Sequence, residues 1–167
     1  QSEKDAGELW QVLSNAVEQM ANVHLKSLLQ AILRAEAEGL RAAPASKAQH
    51  HAYRGGLLEH IVEMLTLARC LCTLYPHLDG DVLAAGVIVH DLGLVQGARY
   101  ARDIDYSDAG RLQGHVVLGD RMVAAYIAQT PDFPADLALR LSHMVLSHHG
   151  EVEHGAVRPP QTLEAVA

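Results

Sequence analysis

His90 and Asp91 stand at the end of an almost uncharged run, Val82-Leu83-Ala84-Ala85-Gly86-Val87-Ile88-Val89, and are followed by Leu92-Gly93-Leu94. A helix that apolar is buried all round, and a buried carboxylate is costly unless something positive meets it. No Lys or Arg lies within seven residues on either side of the pair, so the local sequence supplies no counter-ion. Imidazole and carboxylate together suit a divalent cation of the Mn, Fe, Co, Ni or Zn group, which makes a metal ion the economical partner. The alternative is a hydrogen-bonded core histidine beside a helix-terminal aspartate. The dipeptide alone leaves both open.

Four further histidines fall where a helix faces its core. Positions 57, 60, 61, 64, 67, 68 and 71 read Leu, His, Ile, Met, Leu, Ala, Leu, so His60 is the single polar member of an apolar stripe. His115 shares a face with Leu118, Gly119 and Met122; His148 follows Leu141, Met144 and Val145, with His149 beside it. One histidine on an apolar face is usually a satisfied core residue. Several helices each turning a histidine inward, one beside an aspartate, point instead to a shared metal site, because inward faces converge in the core of a bundle. His24, His77, His143 and His154 carry no such stripe or companion carboxylate and read as surface or packing residues.

The elements that must position these groups read as helices throughout. The 167 residues are 49% apolar and only 4% aromatic, and the preponderance of Ala, Leu and Val favours helix packed on helix over a sheet. Leu9, Val12, Leu13, Ala16, Val17 and Met20 recur at three and four, an amphipathic first helix. A second is expected from about His24 to Glu38, ended by Gly39; a third from Leu57 to Tyr75; a fourth from Gly80 to Leu92 with Asp79 near its start. Residues 42–56 and 95–110 read as loops, the latter with Asp103, Asp105 and Asp108 as a solvated acidic stretch. Further helices are expected from Leu112 to Gln129, from Pro134 to His149, and from Thr162 onward. The fold class is therefore all-α, a bundle of about six to eight helices with a metal site in its core.

Composition narrows the function classes. The formal charge of −7 argues against a broad basic nucleic-acid surface. Nothing marks a secretory leader or a membrane span, and Cys70 and Cys72, side by side on one helix but pointing apart, read as reduced core residues. A cytoplasmic protein is the expectation. The chain opens on Gln1 and stops in the first turn of a helix, which reads as one domain over residues 1–167 cut from something longer before its last helix ends.

His60 followed by His90-Asp91 resembles the HD-domain superfamily of metal-dependent phosphohydrolases. The stretches His50-His51-Ala52-Tyr53-Arg54-Gly55-Gly56-Leu57-Leu58-Glu59-His60, Gly114-His115-Val116-Val117-Leu118-Gly119, Ser147-His148-His149-Gly150 and Pro160-Gln161-Thr162-Leu163-Glu164-Ala165 are similar to one branch, the YhaM-type 3′→5′ exoribonucleases. That resemblance implies a first metal shell of His60, His90 and Asp91, with Asp91 bridging to a second ion held by His115, His148 and His149. It implies the two-metal chemistry of phosphoester hydrolysis, in which paired ions polarise a phosphoryl oxygen and activate water. Asp91 belongs to the catalytic set; Arg54, beside Gly55 and Gly56, is either the best-placed cation for a phosphate or a solvated loop residue, and His51 is either a donor to the phosphate or to the metal-bound water or a cap of the following helix.

The expected function is thus a phosphohydrolase or phosphodiesterase acting on a nucleotide or on a single-stranded nucleic-acid 3′ end, with one or two divalent ions and no membrane partner. Two departures from the family pattern carry an alternative, a degenerate module that binds nucleotide or metal without turnover. Leu94 stands where active members have Lys, and the sequence ends at Ala167 before the final Asp that completes the first site in related proteins. The N-terminal nucleic-acid-binding barrel of the resembled enzymes is not among these residues, and processive RNA degradation is not expected of them alone.

Overall fold

A computed structural model describes residues 4–46, 52–100 and 104–167. Each helix starts where the sequence offers a cap. Asp5 accepts from the Gly7 and Glu8 amides and opens α1 (Ala6–Glu18), and Asn22 accepts from His24 and Leu25 and opens α2 (Val23–Ala42). Gly55, with φ at 84°, turns the chain into α3 (Gly56–Leu74), a left-handed conformation that glycine adopts without strain. Asp79 accepts from the Val82 amide to start α4 (Gly80–Val89). The amide of Asn22 donates to Asp81 Oδ2 at 2.7 Å, so the starts of α2 and α4 are pinned together.

The fold class is all-α. α4 is the central rod: Val82, Leu83 and every residue from Ala85 to Val89 are buried, as an evenly apolar helix requires. It packs against α2, α3 and later helices, and Leu13, Leu28, Leu29, Ile32, Leu57, Ile61 and Leu141 are fully enclosed in the same core. α5 is a single turn (Leu94–Gly97), followed by a two-stranded antiparallel ribbon, β1 (Ala98–Tyr100) and β2 (Ile104–Tyr106). This ribbon replaces part of the loop expected over 95–110; Tyr and Ile are residue types favoured in strands, and the hairpin pairs backbone groups that a loop would leave to water. α6 (Asp108–Ala128) is broken by a non-helical Gly114 at φ 76°. α7 (Ala135–Ser147), a 3-10 turn (Val152–His154) and α8 (Leu163–Val166) complete the chain.

Gly39 does not end the second helix, which runs on to Ala42. A Cβ on Gly39 would lie 2.2 Å from Val95 Cγ1, so this glycine serves close approach of another element. No helix among the described residues is long and apolar enough to cross a membrane.

Candidate metal centre

Five histidines and one aspartate from four separate stretches of chain meet at the ends of α3, α4, α6 and α7. His60 sits one turn into α3, and His90 and Asp91 follow the last turn of α4. His115 comes directly after the Gly114 break in α6, and His148 and His149 lie at the C-terminal end of α7. His60 Nε2 is 3.3 Å from His90 Nε2, and His90 Nε2 is 3.4 Å from Asp91 Oδ2. On the other side of the same carboxylate, Asp91 Oδ1 is 3.3 Å from His115 Nε2 and 3.5 Å from His148 Nε2. His149 Nε2 is 3.0 Å from His115 Nε2. The groups His60, His90, Asp91 and His115, His148, His149 each bring their ligand atoms within 4.8 Å of one another.

The backbone orients the rings. His90 Nδ1 donates to the Val87 carbonyl at 2.8 Å, and His148 Nδ1 donates to the Val145 carbonyl at 2.7 Å. A proton held on Nδ1 leaves Nε2 as the lone-pair nitrogen, the arrangement common to metal-ligating histidines. His148 Nε2 is buried and has no hydrogen-bond partner. An orphaned buried acceptor aimed at a carboxylate and three imidazoles fits a cation that the residues themselves do not supply.

The electrostatics follow from the same geometry. Burial alone would push the Asp91 carboxyl up, but His90, His148 and His115 outweigh it and hold the group well below the usual carboxylate range. Burial pulls the His90 imidazole down, and the adjoining Asp91 reverses this and leaves it raised. Burial, with His148 and His115 nearby, lowers the His149 imidazole to about 4, and His115 is lowered chiefly by burial. Asp91 is therefore an anion and His149 a neutral imidazole at neutral pH.

The cluster opens on a cavity of about 710 Å³, which Leu94, Asp105 and Tyr106 also line. Leu94 is buried, and its side chain forms part of the cavity wall. Arg54 is exposed and lies off this cavity; it lines a separate pocket of about 300 Å³ with Lys4, Asp5 and Arg41. His51 lies outside the described residues. The histidines read as packing residues have packing partners: the His24 ring stands edge-on to Phe133, and His143 Nε2 accepts from the Gln161 amide at 2.9 Å.

Sequence reasoning passed over three carboxylates, of which Asp105 and Glu164 line the cavity and Glu59 does not. Asp105, read as part of a solvated stretch, lines the cavity and pairs with Arg111 at 2.9 Å. Glu164 is buried, accepting from the Asp79 amide at 3.0 Å and pairing with Arg140 at 3.1 Å, which ties α8 over the start of α4. Glu59 is buried beside His60, taking the Tyr53 hydroxyl and Lys4 Nζ. A carboxylate inside an apolar stretch, as at Glu59, was the available signal; Glu164 and Asp105 carry none in one dimension.

This chain belongs to the HD-domain family, whose model matches residues 57–167. A second family model, TraI_2, with the description "Putative helicase", matches residues 6–81, less than half of the chain. Among curated proteins, the chain is 35% identical over 144 residues to the 3'-5' exoribonuclease YhaM of Shouchella clausii, covering 86% of this chain and 45% of that protein. It is 34% identical over 160 residues to the YhaM protein of Bacillus velezensis and 33% identical over 160 residues to that of Bacillus subtilis, each covering 95% of this chain and 50% of the relative. The chain thus spans about half the length of the curated relatives it matches. No solved structure matches it.

Proposed function

We propose that this chain is the hydrolytic domain of a metal-dependent phosphodiesterase that acts on the 3′ end of single-stranded RNA. The observation that carries the reading is the position of Asp91, with one carboxylate oxygen toward His90 and the other toward His115 and His148, beside the buried unpartnered nitrogen of His148. His60, His90 and Asp91 would hold one divalent ion of the Mn, Fe, Co, Ni or Zn group, and His115, His148 and His149, with Asp91 between, a second. Bound there, such ions supply Lewis-acid polarisation of a phosphoryl oxygen and a lowered pKa for water.

The chain's own residues prepare that chemistry. The Val87 and Val145 carbonyls fix the tautomers of His90 and His148, and the Asp91 anion keeps the cluster attractive to cations. Among the described residues, no Lys or Arg lines the cavity. The similarity to proteins named exoribonucleases supports RNA and its 3′ end.

The test is hydrolysis of a 5′-labelled single-stranded RNA after loading with Mn²⁺. Stepwise shortening from the 3′ end is expected, lost on chelation and in Asp91→Asn. Absence of product with every ion of the group overturns the reading. The buried Leu94 supports the alternative of binding without turnover; retained RNA binding with no product is the result that would select it.

A further inference from the structure

His115, His148 and His149 come from two helices, and their meeting depends on how those helices are registered. His115 stands directly after the Gly114 break, so the helical turn before it does not carry through to it. His148 and His149 stand at the opposite limit, just past the last residue of α7. The beginning of one segment meets the end of the other, so the second half of α6 and α7 run antiparallel. A slide of either along its axis parts His115 Nε2 from His149 Nε2, which are 3.0 Å apart.

On one side α6 is stopped by Gly93, which lies against the His115 carbonyl and Gly119. On the side of α7, Met122 and Val123 share a core with Leu141 and Val145. Burial of that kind is non-directional and does not by itself fix a register. A directed contact does: Ser142 Oγ donates to Asp120 Oδ1 at 2.6 Å, half-buried between the helices. Hydroxyl-to-carboxylate bonds of this length are among the stronger ones. Ser and Asp are poorer helix formers than alanine because they compete for backbone hydrogen bonds. Thr66, Thr73 and Ser147 show that habit, each donating to the carbonyl four residues back. Ser142 instead reaches across to the neighbouring helix.

The placement of the bond suits a register pin. Asp120 follows His115 by five residues, and Ser142 precedes His148 and His149 by six and seven. The bond therefore lies about 7–11 Å back from the cluster along both helices. Neither residue is among those lining the cavity. The geometry points to Asp120 and Ser142 as positioning residues for the ion of the His115, His148, His149 group: their bond sets α6 against α7 and so holds His115 within reach of the other two. The inference rests on the reading of the cluster as a centre for two ions. His60, His90 and Asp91 belong to α3 and the end of α4 and are not moved by it.

Two measurements test it. Titration of the metal-free chain with Mn²⁺ alone, followed by calorimetry, gives a dissociation constant for each ion. Proton NMR of the metal-free chain shows whether the His115 and His149 rings touch, through cross-peaks between their ring protons. Asp120→Ala and Ser142→Ala are each expected to weaken one ion about tenfold or more, to leave the other unchanged, and to lose the cross-peaks. Ser142→Ala keeps the test open should Asp120→Ala fail to fold, since alanine is the better helix former. Asp120→Asn retains an acceptor oxygen and Ser142→Thr a hydroxyl, so both are expected to lie closer to the wild type than to the alanine variants. Equal weakening of both ions, or a lowered Tm with both ions and the ring contact intact, marks a role in folding alone and overturns the proposal. Asp120→Asn as weak as Asp120→Ala overturns the bond as the cause. A wild-type chain that binds fewer than two ions refutes the two-ion reading, while loss of the ring contact in the alanine variants still upholds the register pin; two ions bound equally by wild type and alanine variants does the reverse.

Discussion

Gly93→Ala is predicted to disarm half of the cluster without touching a ligand. Gly93 lies in the turn between Asp91 and α5, with φ −61° and ψ −19°, a conformation open to any residue, so its requirement for glycine is purely steric. An added Cβ would lie 1.9 Å from the His115 carbonyl oxygen, 2.6 Å from the Gly119 amide nitrogen and 2.8 Å from the His115 carbonyl carbon. A carbon–oxygen contact is comfortable near ~3.3 Å, so this stretch of α6 must retreat by more than about 1 Å. Overpacking of this kind costs about 1–3 kcal/mol, and in a domain of this size each kcal/mol lowers Tm by roughly 2–4 °C. A fall of about 2–12 °C is therefore expected for the metal-free protein. Metal ligation tolerates displacements of only about 0.2 Å, so His115 should leave the group it forms with His148 and His149 while His60, His90 and Asp91 stay in place. Calorimetry and elemental analysis of the purified variant check both parts, with Gly80→Ala as control because its Cβ meets nothing closer than Cys72 Sγ at 3.5 Å. A variant that melts within about 1 °C of the wild type and carries the same metal content would refute the reasoning.

Asp91→Asn keeps the shape but removes the charge and one acceptor oxygen shared by both histidine groups, so metal retention should fall by more than the 10–100-fold typical of losing an outer partner; titration with Mn²⁺ followed by calorimetry reads it. Metal binding to the wild type should raise stability by about 2.7 kcal/mol at a free ion concentration of 100 Kd, and a chelator that leaves Tm unchanged would contradict the site. The metal-free protein should be most stable near pH 6.5. His149 is held at about 4 when folded against roughly 6.5 when unfolded, so between those values the unfolded chain binds the extra proton and stability rises with pH; His115 acts in the same sense. His90 is raised, so its contribution is present below about 6.5 and is lost as pH climbs through its folded value. Urea denaturation across pH 4–8 checks the dome, and a monotonic profile would count against it. Glu164→Ala should cost about 1–3 kcal/mol by leaving the Asp79 amide and Arg140 unpaired, measurable in the same denaturation assay.

The histidines that the structure brings together were legible because they interrupt apolar stripes. His60 among Leu57, Ile61 and Met64, and His90 after Val87, are anomalies that helical periodicity alone exposes, since a buried ionisable group needs a reason. Helix starts were legible for the same local cause: Asp79 and Thr162 announce their caps through short polar side chains. Gly39 misled because a glycine that allows close packing and a glycine that ends a helix look alike in one dimension; only Val95 against it separates them. The strands Ala98–Tyr100 and Ile104–Tyr106 were hidden because a three-residue strand leaves no periodic trace.

By itself, then, the sequence determined the fold class, the main helices and which histidines face inward, because burial and helical period are properties of each segment taken alone. Tertiary structure alone decided that the Asp91 carboxylate faces a different histidine set with each oxygen, that Arg54 lies off the cavity, and that Ser142 meets Asp120 across two helices. Those facts depend on the register between helices distant in the chain, and that register is set by contacts such as Gly86 on Met144 and Gly93 on His115, where a single missing methyl group lets two backbones meet.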